Sequence, residues 1–365
     1  MTSFDKNRIL YNNKLLKFLN ELDDLPNQID QCHVYQSDAG IYDQFNRFRG
    51  WLGDKIISDK DCVLFSCIGE NFEFSQGFDN FIGKKVLLIS PRILAQEQDK
   101  FNKLGWKNIY FPETYAIYPK VMPKIDLNLD RTFDKIFFSL NNRAQWPRQA
   151  LYHFIMKFEL SNKFYFSYHM GDRWNIGKEL LWDQTNEIVG SNTWFNEGLD
   201  LNSLFDRLPV TLDNFSFGND WGPGSIEYYN NSFCSVVTET YINQNLDPLF
   251  TEKIFKPMAY GHSMLVHSSQ GALSRLRELG FETFSTIFDE SYDEIESSQE
   301  RFEELLRQIL QLSNKSNNEL SSMFKKIKPI LEHNYDRFWN GLSKDYENKI
   351  KDVKEEILDF YGVDR

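Results

Sequence analysis

Two polar segments carry the residue types from which a site could be built. The first closes an apolar run, SFCSVVTET (232–240), which places Glu239 at the end of a strand. A polar loop follows, and Phe250-Thr251-Glu252-Lys253 opens a helix. Thr251 suits an N-cap, and Glu252 suits the positive end of a helix. Beside that local reading stands a chemical one. A helix N-terminus at a strand edge turns free N–H groups toward an anion such as a diphosphate. A carboxylate there can accept from ribose hydroxyls, while Lys253 and Lys256 can neutralise phosphate charge. Pro257, one turn inside, removes a backbone hydrogen bond and predicts a bend. The second segment is FFSLNNRAQWPR (137–148), which offers Asn141, Asn142, Arg143 and Arg148 beyond an apolar run. An arginine can fork two N–H bonds to a phosphate. Asn-Asn equally makes a polar turn with exposed arginines beside it.

The elements that must position these residues read as alternating strands and helices. Apolar residues at helical spacing run from Ile9 to Leu22 within residues 1–30. CHVYQ (32–36), CVLFSC (62–67), KVLLIS (85–90) and NIYF (108–111) read as strands separated by turns and helical stretches. Pro112, Pro119 and Pro123 mark a stretch without periodicity that ends near Arg131, read as a linker. The alternation then restarts. KIFFSL (135–140), FYFSY (164–168), SFCSVVTET and SMLVHS (263–268) are strands. QALYHFIMKFEL (149–160), EKIFKPMAYG (252–261) and GALSRLRELG (271–280) are helices, the last two stopped by glycine. Residues 169–225 show no clear pattern, and 342–365 read as a charged amphipathic helix. Strand, crossover and strand repeated in this way predict an α/β protein with two parallel sheets. The expected domains are 1–130 and 131–340, with a closing helix over 341–365 that packs back on the first domain.

Composition excludes several classes. The chain has 365 residues, room for two domains. Its 26% charged and 41% apolar residues argue against disorder. No apolar run approaches the roughly 18 residues of a membrane span. The first residues, MTSFDKNRILYNNKLL, lack the apolar core of a signal peptide, so the expected location is the cytoplasm, that of the host if the protein is viral. Cys32, Cys62, Cys67 and Cys234 have neither metal-type nor disulfide spacing, and read as buried thiols. The six histidines form no HxxxH or HExxH pair, so no metal is required by the pattern. His262 and His267, flanking SMLV, read as structural. Trp174, Trp182, Trp194 and Trp221 read as core, with stacking on a sugar or base as the other use. No G-x-G-x-x-G and no Walker lysine motif occurs, which weakens the dehydrogenase and P-loop classes.

A formal charge of −12 argues against indiscriminate nucleic-acid binding. The charge is uneven, however. From Lys84 to Lys124 lie eight bases (Lys84, Lys85, Arg92, Lys100, Lys103, Lys107, Lys120, Lys124) against Glu97, Asp99 and Glu113. From Asp289 to Glu304 eight acids face the single base Arg301. Two solvated faces account for this, as does a basic patch beside an anionic acceptor.

Thr251-Glu252-Lys253, then Lys256-Pro257-Met258-Ala259-Tyr260-Gly261, Leu276 to Phe284, and Asp289 to Asp293 resemble the donor domain of GT-B glycosyltransferases. The likeness is to bacterial and phage proteins with a fucosyltransferase- or exostosin-like carboxyl-terminal domain. Ser139 to Arg148 resembles the opening of that domain, and the likeness covers about residues 135–300. It implies two Rossmann-like domains facing across a cleft, and a nucleotide-sugar donor, UDP- or GDP-linked, with no tightly bound cofactor. It further implies Glu252 on the ribose, with Thr251 and Asn141 nearby. Lys253 or Lys256, with Arg143, would lie near the diphosphate, Arg148 would belong to the donor site, and Glu239 would lie near the sugar as a catalytic candidate. The base of an inverting enzyme would come from the first domain, where Asp38 and Glu70 follow strands and Asp43 lies further along. The resemblance says little about the acceptor, and the expected location makes it a hydroxyl reachable in the cytoplasm. It is either a hydroxymethylated base in phage DNA met by the Lys84–Lys124 stretch, or a glycan or lipid-linked acceptor. A non-catalytic nucleotide- or partner-binding module and a different two-domain α/β enzyme, such as a sugar-phosphate epimerase, are the competing classes.

Overall fold

The computed structural model describes residues 32–36, 62–66, 86–90, 103, 107–110, 118–141, 145–168, 210–212, 226–240, 242, 248 and 250–361. The expected helix over 1–30 and residues 169–209 lie outside them. The chain divides into two compact units, Met1–Val121 with Leu342–Arg365, and Met122–Gly341. The first holds β1 (Cys32–Gln36), β2 (Cys62–Ser66), β3 (Val86–Ser90), β4 (Lys107–Tyr110) and the short α1 (Tyr118–Val121). The strands pair in parallel in the order β1-β2-β3-β4. Cys32 lies opposite Cys62, Val63 opposite Val86, and Leu87 opposite Lys107.

The second unit is built on β5 (Lys135–Asn141), β6 (Phe164–Tyr168), β7 (Ser232–Thr238) and β8 (Ser263–His267). All three pairings are parallel, in the order β6-β5-β7-β8. β7 and β8 are buried along their whole length, which is why their sequences run apolar instead of alternating. α2 (Trp146–Lys157) connects β5 to β6 and buries its first ten residues. The short α3 (Ile226–Asn230) leads into β7. α4 (Glu252–Ala259) connects β7 to β8. α5 (Ala272–Glu278), α6 (Ser298–Ser313) and α7 (Asn317–Asp336) complete the unit. α7 starts on a capping box: Ser316 Oγ accepts from Glu319 N–H, and the Glu319 carboxylate accepts from Ser316 N–H. A π-helical turn, Arg337–Gly341, closes the unit, and α8 (Leu342–Tyr361) follows in the first unit. There α8 packs on β4 and α1. Among the described residues no helix is long and apolar enough to cross a membrane.

The units divide at Val121, ahead of the limit near residue 130 that the sequence suggests. Met122 to Arg131 is tied to the second unit. Tyr335 Oη donates to Ile125 O at 2.8 Å, and Arg131 Nη2 donates to Tyr260 O at 2.9 Å.

α4 ends as its glycine predicts. His262 N–H donates to Pro257 O at 2.8 Å and Gly261 N–H to Met258 O at 3.3 Å, a Schellman motif. Gly261 takes φ +59°, and a Cβ there would run into Leu127 Cδ1. Gly261→Ala is therefore expected to lower stability by about 2–3 kcal/mol, from the left-handed backbone and the clash together. Urea unfolding measures it; a loss under about 0.5 kcal/mol would mean that Leu127 simply moves aside.

Candidate functional site

An open parallel sheet binds ligands at the carboxyl ends of its strands, where the strand order reverses. In the second unit that point lies between β5 and β7. The chain leaves β5 for β6 on one side and returns to β7 on the other. Six of the residues singled out in the sequence, Asn141, Arg148, Glu239, Thr251, Glu252 and Lys253, lie at this edge in two groups.

The first group is a buried polar seam between β5 and β7. Ser139 Oγ donates to Val236 O at 2.8 Å, and Asn141 Nδ2 donates to Ser139 Oγ at 3.0 Å. Thr238 Oγ1 donates to Asn141 Oδ1 at 2.9 Å. From α2, Arg148 Nε donates to Thr238 Oγ1 and Arg148 Nη2 to Thr238 O, both at 3.3 Å. Arg148 is only 2% exposed, so the solvent-exposed turn arginine suggested by the Asn-Asn turn reading is instead a strut from α2 to the end of β7. Pro147 allows this, because proline is tolerated in a first helical turn and starts α2 three residues earlier than apolar spacing alone indicates.

The second group joins the end of β7 to the start of α4. Thr251 is the N-cap, with extended backbone, and its Oγ1 accepts from Lys253 N–H at 3.4 Å. Behind it stands Glu239, fully buried. Glu239 Oε1 accepts from Thr251 N–H at 3.1 Å. Glu239 Oε2 accepts from Thr251 Oγ1 at 2.6 Å and from Thr240 N–H at 3.2 Å. Both carboxylate oxygens are thus turned onto the helix start. The Lys253 ammonium donates to Glu252 Oε1 at 3.0 Å, Thr251 Oγ1 at 3.1 Å and Thr240 Oγ1 at 3.4 Å. Thr240 O in turn accepts from Gln145 Nε2 at 3.4 Å, which links the two groups.

A lysine at the second position of a helix opposes the local field, because the N-terminal end of the helix dipole is positive. Lys253 is held there by three acceptors, with about a quarter of its side chain exposed. The ammonium is balanced there by two carboxylates, Glu252 in direct contact and Glu239 behind Thr251, so it faces an anion only if Glu252 gives it up. The same edge carries further polar capacity. Gln145 Oε1, Trp146 Nε1, His267 Nδ1 and Ser268 Oγ are buried and have no hydrogen-bond partner among the described residues. The Trp146 and His267 rings meet edge to face at 5.5 Å. Thr238, Thr240 and Gln145 were not singled out in the sequence. The available signal was the T-E-T that closes an otherwise apolar run.

Lys256, half-buried, lies one turn beyond Glu252 on α4. Asp38, Glu70 and Arg143 lie outside the described residues, as do Asp43 and the four tryptophans of 169–225. Among the described residues no group of three His, Cys, Asp or Glu side chains could hold a metal ion. Cys234 is a buried free thiol whose pKa burial pushes up to about 12.

The acidic run after Asp289 is engaged in local structure. Asp289 Oδ1 accepts from Ser291 N–H at 2.9 Å. Glu290 pairs with Arg277 at 3.1 Å, and Asp293 Oδ2 accepts from Leu273 N–H at 3.0 Å at the start of α5. Of the basic stretch, Lys107 lies 3.9 Å from Glu356, and Lys124 sits over the Tyr335 and Trp339 rings.

The fold and this edge define a parallel α/β protein with a polar, side-chain-capped helix start at its switch point. No family model matches the chain, and no curated protein matches its sequence. Among solved structures, the chain is similar to the crystal structure of a glycosyltransferase from Rickettsia africae ESF-5. The match covers 96% of this chain and 84% of that one, at 14% identity and a TM-score of 0.34, too distant a likeness to carry a functional argument.

Proposed function

We propose that the chain is a glycosyltransferase that moves a sugar from a nucleotide-sugar donor, UDP- or GDP-linked, to an acceptor hydroxyl. The observation that carries this reading is Lys253, an ammonium held against the helix dipole at the carboxyl edge of a parallel sheet. On this reading Glu252 leaves Lys253 for the ribose hydroxyls when the donor binds. Lys253, Lys256 and Arg143 then neutralise the diphosphate. As the acceptor oxygen attacks the anomeric carbon, the bond from that carbon to the diphosphate oxygen breaks. The leaving diphosphate gathers negative charge, and cations already in place stabilise it. The acceptor proton passes to a carboxylate of the first unit, Asp38 or Glu70. The two units would be Rossmann-like domains of the GT-B type, and the reaction would run in the cytoplasm. A hydroxymethylated base in phage DNA, met by the Lys84–Lys124 stretch, is the acceptor that the basic charge favours. A glycan is the alternative. Binding to DNA would weaken steeply with salt.

A thermal-shift series with UDP, GDP, CDP, ADP and their sugars tests the donor site. One nucleotide at a hundred times its dissociation constant is expected to add about 2.7 kcal/mol. Glu252→Ala and Arg143→Ala are each expected to abolish that shift. Absence of a shift with every nucleotide would remove the donor site and with it the transferase.

A further inference from the structure

We infer that Glu239 is a positioning residue that acts through the Thr251 hydroxyl to aim Lys253 at the donor diphosphate. The inference rests on the nucleotide-sugar reading above, and it moves Glu239 from beside the sugar to behind the helix start. Hydrogen-bond directions carry it. The Thr251 hydroxyl has one proton, and the 2.6 Å contact to Glu239 Oε2 fixes where that proton points. A carboxylate only accepts, so Thr251 must donate to it. The lone pairs of Thr251 Oγ1 are thereby left for Lys253, whose N–H and ammonium lie at 3.4 and 3.1 Å. Glu239 Oε2 also takes Thr240 N–H, which fixes the residue whose hydroxyl is the ammonium's third acceptor at 3.4 Å. The carboxylate touches neither solvent nor Lys253, yet two of the three acceptors that hold the ammonium are oriented by it. Two further observations point to a ligand at this edge. Lys253 sits against the helix dipole. Gln145, whose Nε2 donates to Thr240 O, has its Oε1 buried without a partner among the described residues.

Glu239→Gln keeps the shape and changes one end of the group from acceptor to donor. The amide oxygen can fill only one of the two places: at Oε2 it leaves NH2 against Thr251 N–H, and at Oε1 it sets NH2 against Thr240 N–H and the Thr251 proton, so either placement loosens a residue whose hydroxyl holds the ammonium. The test is calorimetric titration of the full chain with UDP and GDP, and with uridine and guanosine as phosphate-free controls. Glu239→Gln is expected to weaken the bound diphosphate about tenfold, the size of one charged hydrogen bond, and to leave the nucleoside unchanged. Lys253→Ala should weaken it by a similar factor, and the double variant no further, because both changes break one relay. Thr251→Ser, which keeps the hydroxyl, should bind as wild type, and Thr251→Val should copy Glu239→Gln. Should Glu239→Gln not fold, the Thr251 pair decides the same question. Wild-type affinity in Glu239→Gln, or additive losses in the double variant, would overturn the role of Glu239 alone. Absence of UDP and GDP binding by the unaltered chain would overturn the donor reading and this inference together.

Discussion

Replacing Arg301 by methionine is expected to lower the midpoint of thermal unfolding by about 10 °C, a loss of about 3–5 kcal/mol in a unit of this size. Arg301 is 2% exposed and donates only to backbone carbonyls. Its Nε reaches Ser268 O just past β8, and its Nη2 reaches Ile242 O in the loop after β7, both at 2.9 Å. Nη1 donates to Glu296 O at 3.3 Å and to Ile295 O. One planar fork from α6 thus ties the loop after β7, the end of β8 and the start of its own helix. Burial pushes the guanidinium pKa down, while Asp293 nearby favours its charged form. Methionine fills the stem's space and supplies no donor, so buried carbonyls lose their partner at about 1–3 kcal/mol each. Lysine keeps the charge but cannot fork, and should restore less than half of the loss. A midpoint shift of under about 2 °C would show that those carbonyls find other donors.

Arg301 also marks where sequence reasoning reached its limit. In the sequence it is one base among eight acids, and nothing local says that it turns inward. The strands were legible because each is an apolar run bounded by polar turns. FYFSY is a strand over the same residues in the structure, Phe164–Tyr168. The ends were less legible, because distant partners decide them. β7 stops at Thr238, two residues short of the apolar-run reading. There Glu239 leaves the sheet for Thr251, twelve residues away. β5 runs one residue longer, to Asn141, whose side chain Ser139 and Thr238 hold. The stretch Met122–Asp130 shows no periodicity, and its place in the second unit comes from Arg131 and Tyr335, contacts that composition cannot announce.

The same division holds at the site. Thr251, Glu252 and Lys253 were legible as a helix opening because capping is local chemistry, and Thr251 takes the N-cap position. The partners were not legible. Asn141 and Arg148 look alike in sequence, as polar residues beyond a strand, yet one ends β5 and the other lies in α2. Their meeting at Thr238 depends on β7 pairing beside β5. Sequence placed the carboxylate of Glu239 at a strand edge. Only the return of α4 onto that edge turns both of its oxygens onto the helix start.

Lowering the pH from 7 to 5 is expected to cost about 4 kcal/mol of folding stability, about half from each of His262 and His267. Both are buried, and burial pushes each pKa down to about 3. For His262 the nearby Arg131 charge works the same way, against the Ser232 carbonyl. Ser235 Oγ meets its Nδ1 at 2.7 Å, and Ser232 O meets its Nε2 at 2.9 Å. His267 Nε2 faces Ser298 O at 3.0 Å, and its ring packs on Trp146 and Phe302. In the unfolded chain both titrate near their ordinary value of about 6.5. Between that value and about 3 the unfolded chain takes up protons that the folded chain refuses, so stability falls as pH falls. At pH 5 each histidine contributes about 1.5 × 1.36, or roughly 2 kcal/mol. Glu290 and Asp293 act in the opposite sense. Burial raises both pKa values, so the folded chain protonates first, and the gain builds as pH falls from the raised values to the ordinary carboxylate range. The histidine variants isolate the histidines' share of the slope between pH 6.5 and 5.5. Urea unfolding at a series of pH values should give an uptake approaching two protons at pH 5.5, and His262→Asn or His267→Asn should each remove one. A flat profile would mean that both rings hold their proton in the fold. His267 Nδ1 could then donate, where the neutral ring, with Nε2 donating to Ser298 O, leaves it an acceptor. The chemistry that the carboxyl edge presents to a ligand would change with it.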